Sequence, residues 1–189
     1  ASNMLLYGDA GTGKSSTVKA VAASMAPDGL RVIEVRKNQL YQIPDIMEEL
    51  SVNPLRFIIF IDDLSFNGND DNFSALKATL EGSISGCSDN IAIYATSNRR
   101  HLVKETFSDR TGDELHVNDT LQETMSLAAR FGLTITFQKP DKDEYLHIVK
   151  ELATEYGIDM DEAELFRKAE AHAIRKNGRS PRTAKQFIE

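Results

Sequence analysis

Five short apolar runs, separated by helical or polar sequence, constrain the fold of this chain more than any other feature. They are M-L-L-Y (4–7), L-R-V-I-E-V (30–35), F-I-I-F-I (57–61), I-A-I-Y-A (91–95) and L-T-I-T-F (133–137). A run such as 57–61 shows no in-out alternation, so both of its faces need cover, as in a parallel sheet between helices. Apolar stripes at helical spacing lie between the runs: Val18, Val21, Ala22 and Met25; Phe73, Leu76 and Leu80; Leu121, Met125 and Ala128. The pattern predicts an α/β domain over residues 1–139, a five-stranded parallel sheet flanked by helices. Beyond Phe137 only helical patterns remain. Asp141 and Glu144 have capping-box spacing ahead of Tyr145, Ile148, Val149 and Leu152. A second helix over about 161–176 stops at Asn177-Gly178, and a third opens at Ser180-Pro181, with proline in its first turn. Residues 140–189 therefore read as a small all-helical appendage.

Composition narrows the function classes. A chain of 189 residues with 41% hydrophobic and 27% charged residues can bury a full core. No apolar run approaches the ~18 residues of a membrane span, so no membrane partner is expected. Cys87 is the single cysteine; a disulfide framework is excluded and a cytoplasmic location is expected. A net charge of −7 opposes nucleic-acid binding by a whole face. A local basic cluster, Arg99, Arg100, His101 and Lys104, stays open either as a contact for nucleic acid or as a solvated surface. The polar stretches 67–72 and 104–114 read as loops. The first run begins three residues after Ala1, and the chain stops within a helical pattern at Q-F-I-E. More sequence is expected, on the N-terminal side at least.

Between the first run and the first helical stripe stands G-D-A-G-T-G-K-S (8–15), a match to G-x-x-x-x-G-K-[ST] in the strand-to-helix context the motif requires. Gly8, Gly11 and Gly13 let the backbone turn tightly, so that successive N–H groups, with those of Asp9, Ala10 and Thr12, aim at one anion. The helix that follows, from Lys14 through Ser15 and Ser16, adds its positive end. Lys14 supplies a full charge for β and γ phosphates, and the Ser15 hydroxyl is a ligand for Mg²⁺.

A phosphate site of this kind needs an acid for the magnesium shell at the end of a neighbouring buried strand. F-I-I-F-I-D-D supplies two. Asp62 fits the metal role, with a plain strand-end acid as the alternative. Asp63, one residue on, is expected to point to the opposite face and to orient an attacking water.

These segments, together with I-A-I-Y-A-T-S-N-R-R (91–100), S-L-A-A-R-F-G-L (126–133) and G-R-S-P-R-T-A (178–184), resemble the AAA+ ATPase superfamily in order and spacing across the whole chain. More narrowly, the chain resembles a bacterial group of AAA+ proteins filed as a domain of unknown function. The run A-R-F-G-L-T-I-T-F is similar to replication initiators and helicase loaders. The resemblance implies ATP and Mg²⁺ as ligands and residues 140–189 as a lid. It implies Asn98 as the polar sensor at the γ-phosphate or the water, and Arg130 as an arginine finger reaching the next subunit of a homo-oligomer. Arg182 becomes the lid sensor of the γ-phosphate, and Arg110 a weaker rival finger. Plainer readings stand beside these: Asn98 as a turn residue, Arg130 as a surface arginine capping its helix, Arg182 as a lid-surface charge. Where the superfamily usually carries Asp-Glu after its third strand, this chain has Asp62-Asp63. The shorter carboxylate implies slow hydrolysis, or a site that tightens on assembly.

Two functions follow from the resemblance. One is a Mg-dependent ATPase that couples nucleotide state to subunit assembly and to remodelling of an unknown protein client. The other is a nucleotide-gated loader or adaptor on a nucleic-acid complex, with little hydrolysis. A P-loop small-molecule kinase fits less well, because no acceptor-substrate motif is present.

Overall fold

In a computed structural model, residues 2–64, 71–86, 89–98, 128–176 and 178–189 are described, with backbone alone at 71–73 and 83–86. The strands are β1 (Met4–Gly8), β2 (Leu30–Glu34), β3 (Arg56–Ile61), β4 (Ile91–Asn98) and β5 (Leu133–Phe137). They form one parallel sheet in the order β2-β3-β4-β1-β5. The register sets Ile33 beside Ile59 and Ile59 beside Ile93. Central β3 is buried at every position from Phe57 to Ile61, whereas Leu133 and Ile135 of edge strand β5 are exposed. This is the difference expected between a strand with two neighbours and one with a single neighbour.

By packing, the chain divides into two units: residues 1–7 with 15–136, and residues 8–14 with 137–189. In the first unit the helices are α1 (Lys14–Ser24, its first residue in the second unit), α2 (Ile43–Ser51) and α3 (Asp71–Gly86), with a short 3-10 helix at Lys37–Gln42. Its core joins Leu5, Ile59, Ile61, Ile93 and Ala95 of the strands to Leu40, Ile43, Leu76 and Leu80. Two asparagines pin this frame. Asn3 accepts at Oδ1 from Ile93 N–H, and its carbonyl accepts from Leu133 N–H, so β1 is fixed between β4 and β5. Asn90 donates from Nδ2 to the carbonyls of Leu50, Asn53 and Leu55, closing the end of α2.

Helix α2 has no counterpart in the expectations drawn from the sequence. Its signal was present, with Ile43, Ile46, Met47 and Leu50 at helical spacing and Pro44 in the first turn. In α1 only part of the expected stripe is covered: Val18 is buried, while Val21 and Met25 are 46% and 40% exposed. Strand β4 runs on past the apolar residues through Thr96, Ser97 and Asn98, because the chain after β3 pairs with its extension: Leu64 N–H donates to Thr96 O over 2.7 Å. Of the expected loop at 67–72, residues 67–70 lie outside the described residues and Asp71 and Asn72 already belong to α3; the expected loop at 104–114, Leu121, Met125 and the side chain of Phe73 lie outside the described residues.

The second unit holds α4 (Lys142–Glu155), α5 (Glu162–Arg175) and α6 (Pro181–Ile188). Asp141 caps α4 in the expected capping box, accepting from Glu144 N–H at 2.9 Å while Glu144 Oε2 accepts from Asp141 N–H. Tyr145, Val149, Leu165, Ala169, Ala173, Ala184 and Ile188 make the core of the three-helix packet. Gly178, at φ +116°, turns the chain between α5 and α6, where an L side chain is disfavoured.

Candidate functional site

The glycine loop is built by backbone geometry that only glycine supplies. At Gly8 φ is +144°, and a Cβ would lie 1.9 Å from the carbonyl oxygen of Phe137. Gly11 has φ +78° and faces the start of α6, where a Cβ would meet Ser180 Oγ at 3.2 Å and Arg182 Cβ at 3.3 Å. Gly13 has φ +98° with open space beside it. One glycine thus serves close packing, one serves docking of the loop on α6, and the third serves conformation alone.

Lys14 is 6% exposed and folds over its own loop, donating from Nζ to the carbonyls of Gly8 (3.2 Å) and Asp9 (2.6 Å). Thr12 Oγ1 donates to the same Asp9 carbonyl over 2.8 Å. Ala10 and Ser16 are exposed. Loop and helices meet directly within the second unit: Arg182 N–H donates to Gly11 O at 3.2 Å. Ser180 caps α6 and accepts from Thr183 N–H. The Arg182 side chain is exposed.

The turn into α6 is held by a pair that the sequence reading missed. Arg179 grips Glu170 of α5 through both nitrogens, Nε to Oε1 at 2.9 Å and Nη2 to Oε2 at 2.7 Å. Hydrogen bonding to Arg179 holds the Glu170 carboxyl below the usual glutamate range. The buried Tyr145 hydroxyl donates to Ala169 O, and its burial raises its pKa, with the Glu170 charge acting in the same direction.

In the first unit, Asp62 gathers three donors on Oδ1: Ser15 Oγ at 2.6 Å, Thr96 Oγ1 at 2.6 Å and Asp63 N–H at 3.1 Å. The expectation that Asp63 turns to the opposite face from Asp62 is corrected here. Strand β3 ends at Ile61, and Asp63 sits at φ +54°, the one non-glycine residue with positive φ among those described. Strand alternation therefore stops before the pair. Asp62 bonds Thr96 while Asp63 accepts at Oδ1 from Asn98 Nδ2 over 2.8 Å. Thr96 and Asn98 stand two apart on β4, on one face. Thr96 was missed by the sequence reading, although its two-residue offset from Asn98 was a usable signal.

Arg130, at the end of a helical stretch ahead of β5, is bonded to Glu81 of α3, with Nε at 2.8 Å and Nη2 at 2.6 Å from Oε1. Arg99, Arg100, His101, Lys104, Arg110 and Cys87 lie outside the described residues.

The oxygen donors at Ser15 and Asp62, one hydroxyl and one carboxylate, fit a hard divalent ion such as Mg²⁺ that keeps most of its waters. A family model matches residues 1–189 in full. The chain belongs to the family described as "Protein of unknown function (DUF815)". Among solved structures, this DUF815 chain is similar to the Holliday junction branch migration motor RuvB of Thermotoga maritima. The TM-score is 0.58 at 17% identity, over 98% of this chain and 52% of that one. Two point mutants of that protein match at TM-score 0.59, with 17% and 16% identity and the same coverage. The DUF815 chain spans about half the length of these structures and shares their fold over that span. Among curated proteins none matches. Among the described residues no helix is long and apolar enough to cross a membrane.

Proposed function

We propose that this chain is the ATP-binding module of an AAA+ ATPase, with residues 1–139 as the nucleotide core and 140–189 as its lid. The observation that carries the reading is the bond from Ser15 Oγ to Asp62 Oδ1, which ties the last residue of a full phosphate-loop motif to the acid after the buried β3 strand. In this reading the loop amides between Gly8 and Ser16, apart from the Asp9 N–H that is bonded to Phe137 O, and the Lys14 ammonium hold the phosphates of ATP, while Ser15 and Asp62 hold Mg²⁺. Bound magnesium offsets charge on the β and γ oxygens. Asp63 and Asn98, already hydrogen-bonded, position the attacking water. Arg182 reads the γ-phosphate from its own subunit, and Arg130 acts in trans on the next subunit of a homo-oligomer. Hydrolysis then drives assembly and the remodelling of a protein client, in the cytoplasm.

The Asp63–Asn98 bond also favours a second reading. A short carboxylate already engaged by its sensor suits a nucleotide-gated loader that hydrolyses little and acts on a nucleic-acid complex. The similar RuvB is a Holliday junction branch migration motor, which suits the same class of partner.

ATPase rate against protein concentration, with Arg130→Ala alongside, tests the first reading. A trans-acting finger gives a rate per subunit that climbs with concentration and collapses in the variant. A flat rate untouched by the substitution defeats the assembled-ATPase reading. Steeply salt-dependent binding of single-stranded DNA supports the loader, and its absence at low salt removes it.

A further inference from the structure

We propose that Asp9 is a positioning residue whose carboxylate serves the connection between β5 and α4, and that it transmits the state of the glycine loop to the start of α4 within the same unit. Its three polar groups face two networks. The N–H donates to Phe137 O at 3.0 Å, and Oδ2 accepts from Lys139 N–H at 3.3 Å. The carbonyl accepts from Lys14 Nζ at 2.6 Å and from Thr12 Oγ1 at 2.8 Å. Next to it, Gly8 lies so close to Phe137 O that no Cβ fits. Asp9 therefore holds residues 137–139 on one side and receives the loop's lysine on the other.

The transmission half rests on the nucleotide reading above. A phosphate that draws Lys14 Nζ away removes the charged donor from the Asp9 carbonyl and leaves it held by Thr12 Oγ1 alone of these two donors, so the backbone at Asp9 can readjust. The N–H and carboxylate of Asp9 then shift against Phe137 and Lys139, the residues that lead into α4. The bond from Arg182 N–H to Gly11 O gives the loop a second hold on the same unit, at α6.

Amide hydrogen exchange at Lys139 tests the proposal on the full chain, with and without Mg-ADP. Without nucleotide, Asp9→Ala is expected to speed exchange at Lys139 about tenfold, as loss of a hydrogen bond to a charged acceptor implies. Asp9→Asn, which keeps an acceptor oxygen, stays within about threefold of wild type. Mg-ADP is expected to change Lys139 exchange in wild type at least threefold. At saturating Mg-ADP, Asp9→Ala loses that response. Unchanged exchange at Lys139 in nucleotide-free Asp9→Ala overturns the tie. A folded Asp9→Ala protein that no longer binds Mg-ADP assigns the carboxylate to the nucleotide and overturns the proposal as well. A wild-type protein that binds Mg-ADP with no response at Lys139 overturns the transmission. If wild type binds no Mg-ADP, the nucleotide reading and the transmission fall together, and the nucleotide-free comparison alone decides the tie.

Discussion

Asn98 Nδ2 donates to Asp63 Oδ1 over 2.8 Å, and the bond forms because Asp63 leaves strand geometry at φ +54°. Left-handed backbone costs an L residue about 1–2 kcal/mol, least for Asn and Asp, whose short side chains bond locally. The turn is held here by the Asp63 N–H, which donates to Thr96 Oγ1 at 2.9 Å and to Asp62 Oδ1. An aspartate rather than a glutamate at position 63 thus has a conformational reason. Asp63→Glu is expected to lower stability by about 1 kcal/mol in denaturant unfolding. Its longer carboxylate should raise turnover about tenfold, within the range that ångström-scale placement allows. A variant with unchanged stability would show that the left-handed turn imposes no penalty on glutamate.

The same bond makes Asp63 and Asn98 a unit rather than two independent contributors. Asp63→Ala and Asn98→Ala are each expected to reduce turnover about 100-fold, with ATP affinity within threefold of wild type. The double variant should lose little more than either single one. Additive losses in a double-mutant cycle of turnover would show that the two side chains act separately.

The three loop glycines should respond differently to one added methyl group. Gly8→Ala drives a Cβ to 1.9 Å from Phe137 O and is expected to cost at least about 3 kcal/mol, or to prevent folding. Gly13→Ala meets nothing within 4 Å but keeps φ +98°, so its cost is about 1–2 kcal/mol. Urea unfolding with a nucleotide-binding titration separates the cases. Gly13→Ala should stay folded while binding ATP weakly, and equal stabilities for the two variants would contradict the geometry.

How much was legible follows from which signals are local. The buried run 57–61, the capping box at Asp141 and the proline at 181 each report a local preference, and the structure has the elements they imply. The positive φ of Asp63 depends on Thr96, 33 residues away in sequence, and no neighbouring residue announces it. Arg179 is equally opaque, since it stands in the turn before α6 and only the folding back of that turn brings it to Glu170 on α5. Helix α2 is readable from Ile43, Ile46, Met47 and Leu50, but its nine residues make a short periodic signal between two strands. Asp9 fits the loop motif as one of its unrestricted positions, so nothing in the motif points to residues 137–139.

The Arg179–Glu170 pair gives the helical unit a signed dependence on acid. The Glu170 carboxyl is held below its ordinary value by the Arg179 hydrogen bond. A group depressed on folding contributes stability above its unfolded pKa, about 4.3 for glutamate, and loses it as pH falls through the lower folded value. Wild type should therefore lose stability across that acid window faster than Glu170→Gln, while the two fall in parallel above about pH 5.5. The check is the unfolding midpoint as a function of pH for both proteins. Identical slopes below pH 4 would remove this pair from the acid response.

Asp62 makes the sharpest prediction about the metal. Its Oδ1 accepts from Ser15, Thr96 and the Asp63 N–H, so the carboxylate orients the groups around it as well as carrying charge. An asparagine oxygen has two lone pairs and can keep the bonds from Ser15 and Thr96 without the charge, while the Asp63 N–H keeps Thr96 Oγ1. Asp62→Asn is therefore expected to keep stability within about 1 kcal/mol, yet raise the Mg²⁺ needed for half-maximal hydrolysis about 10–100-fold. Chelation of Mg²⁺ should abolish hydrolysis in both proteins. Thr96→Val removes a buried hydroxyl that both donates to Asp62 and accepts from Asp63 N–H. It should shift the Mg²⁺ requirement in the same direction and also cost about 1–3 kcal/mol, because the Asp63 N–H loses a partner. A magnesium titration of Asp62→Asn that overlays the wild-type curve would place the ion on other ligands.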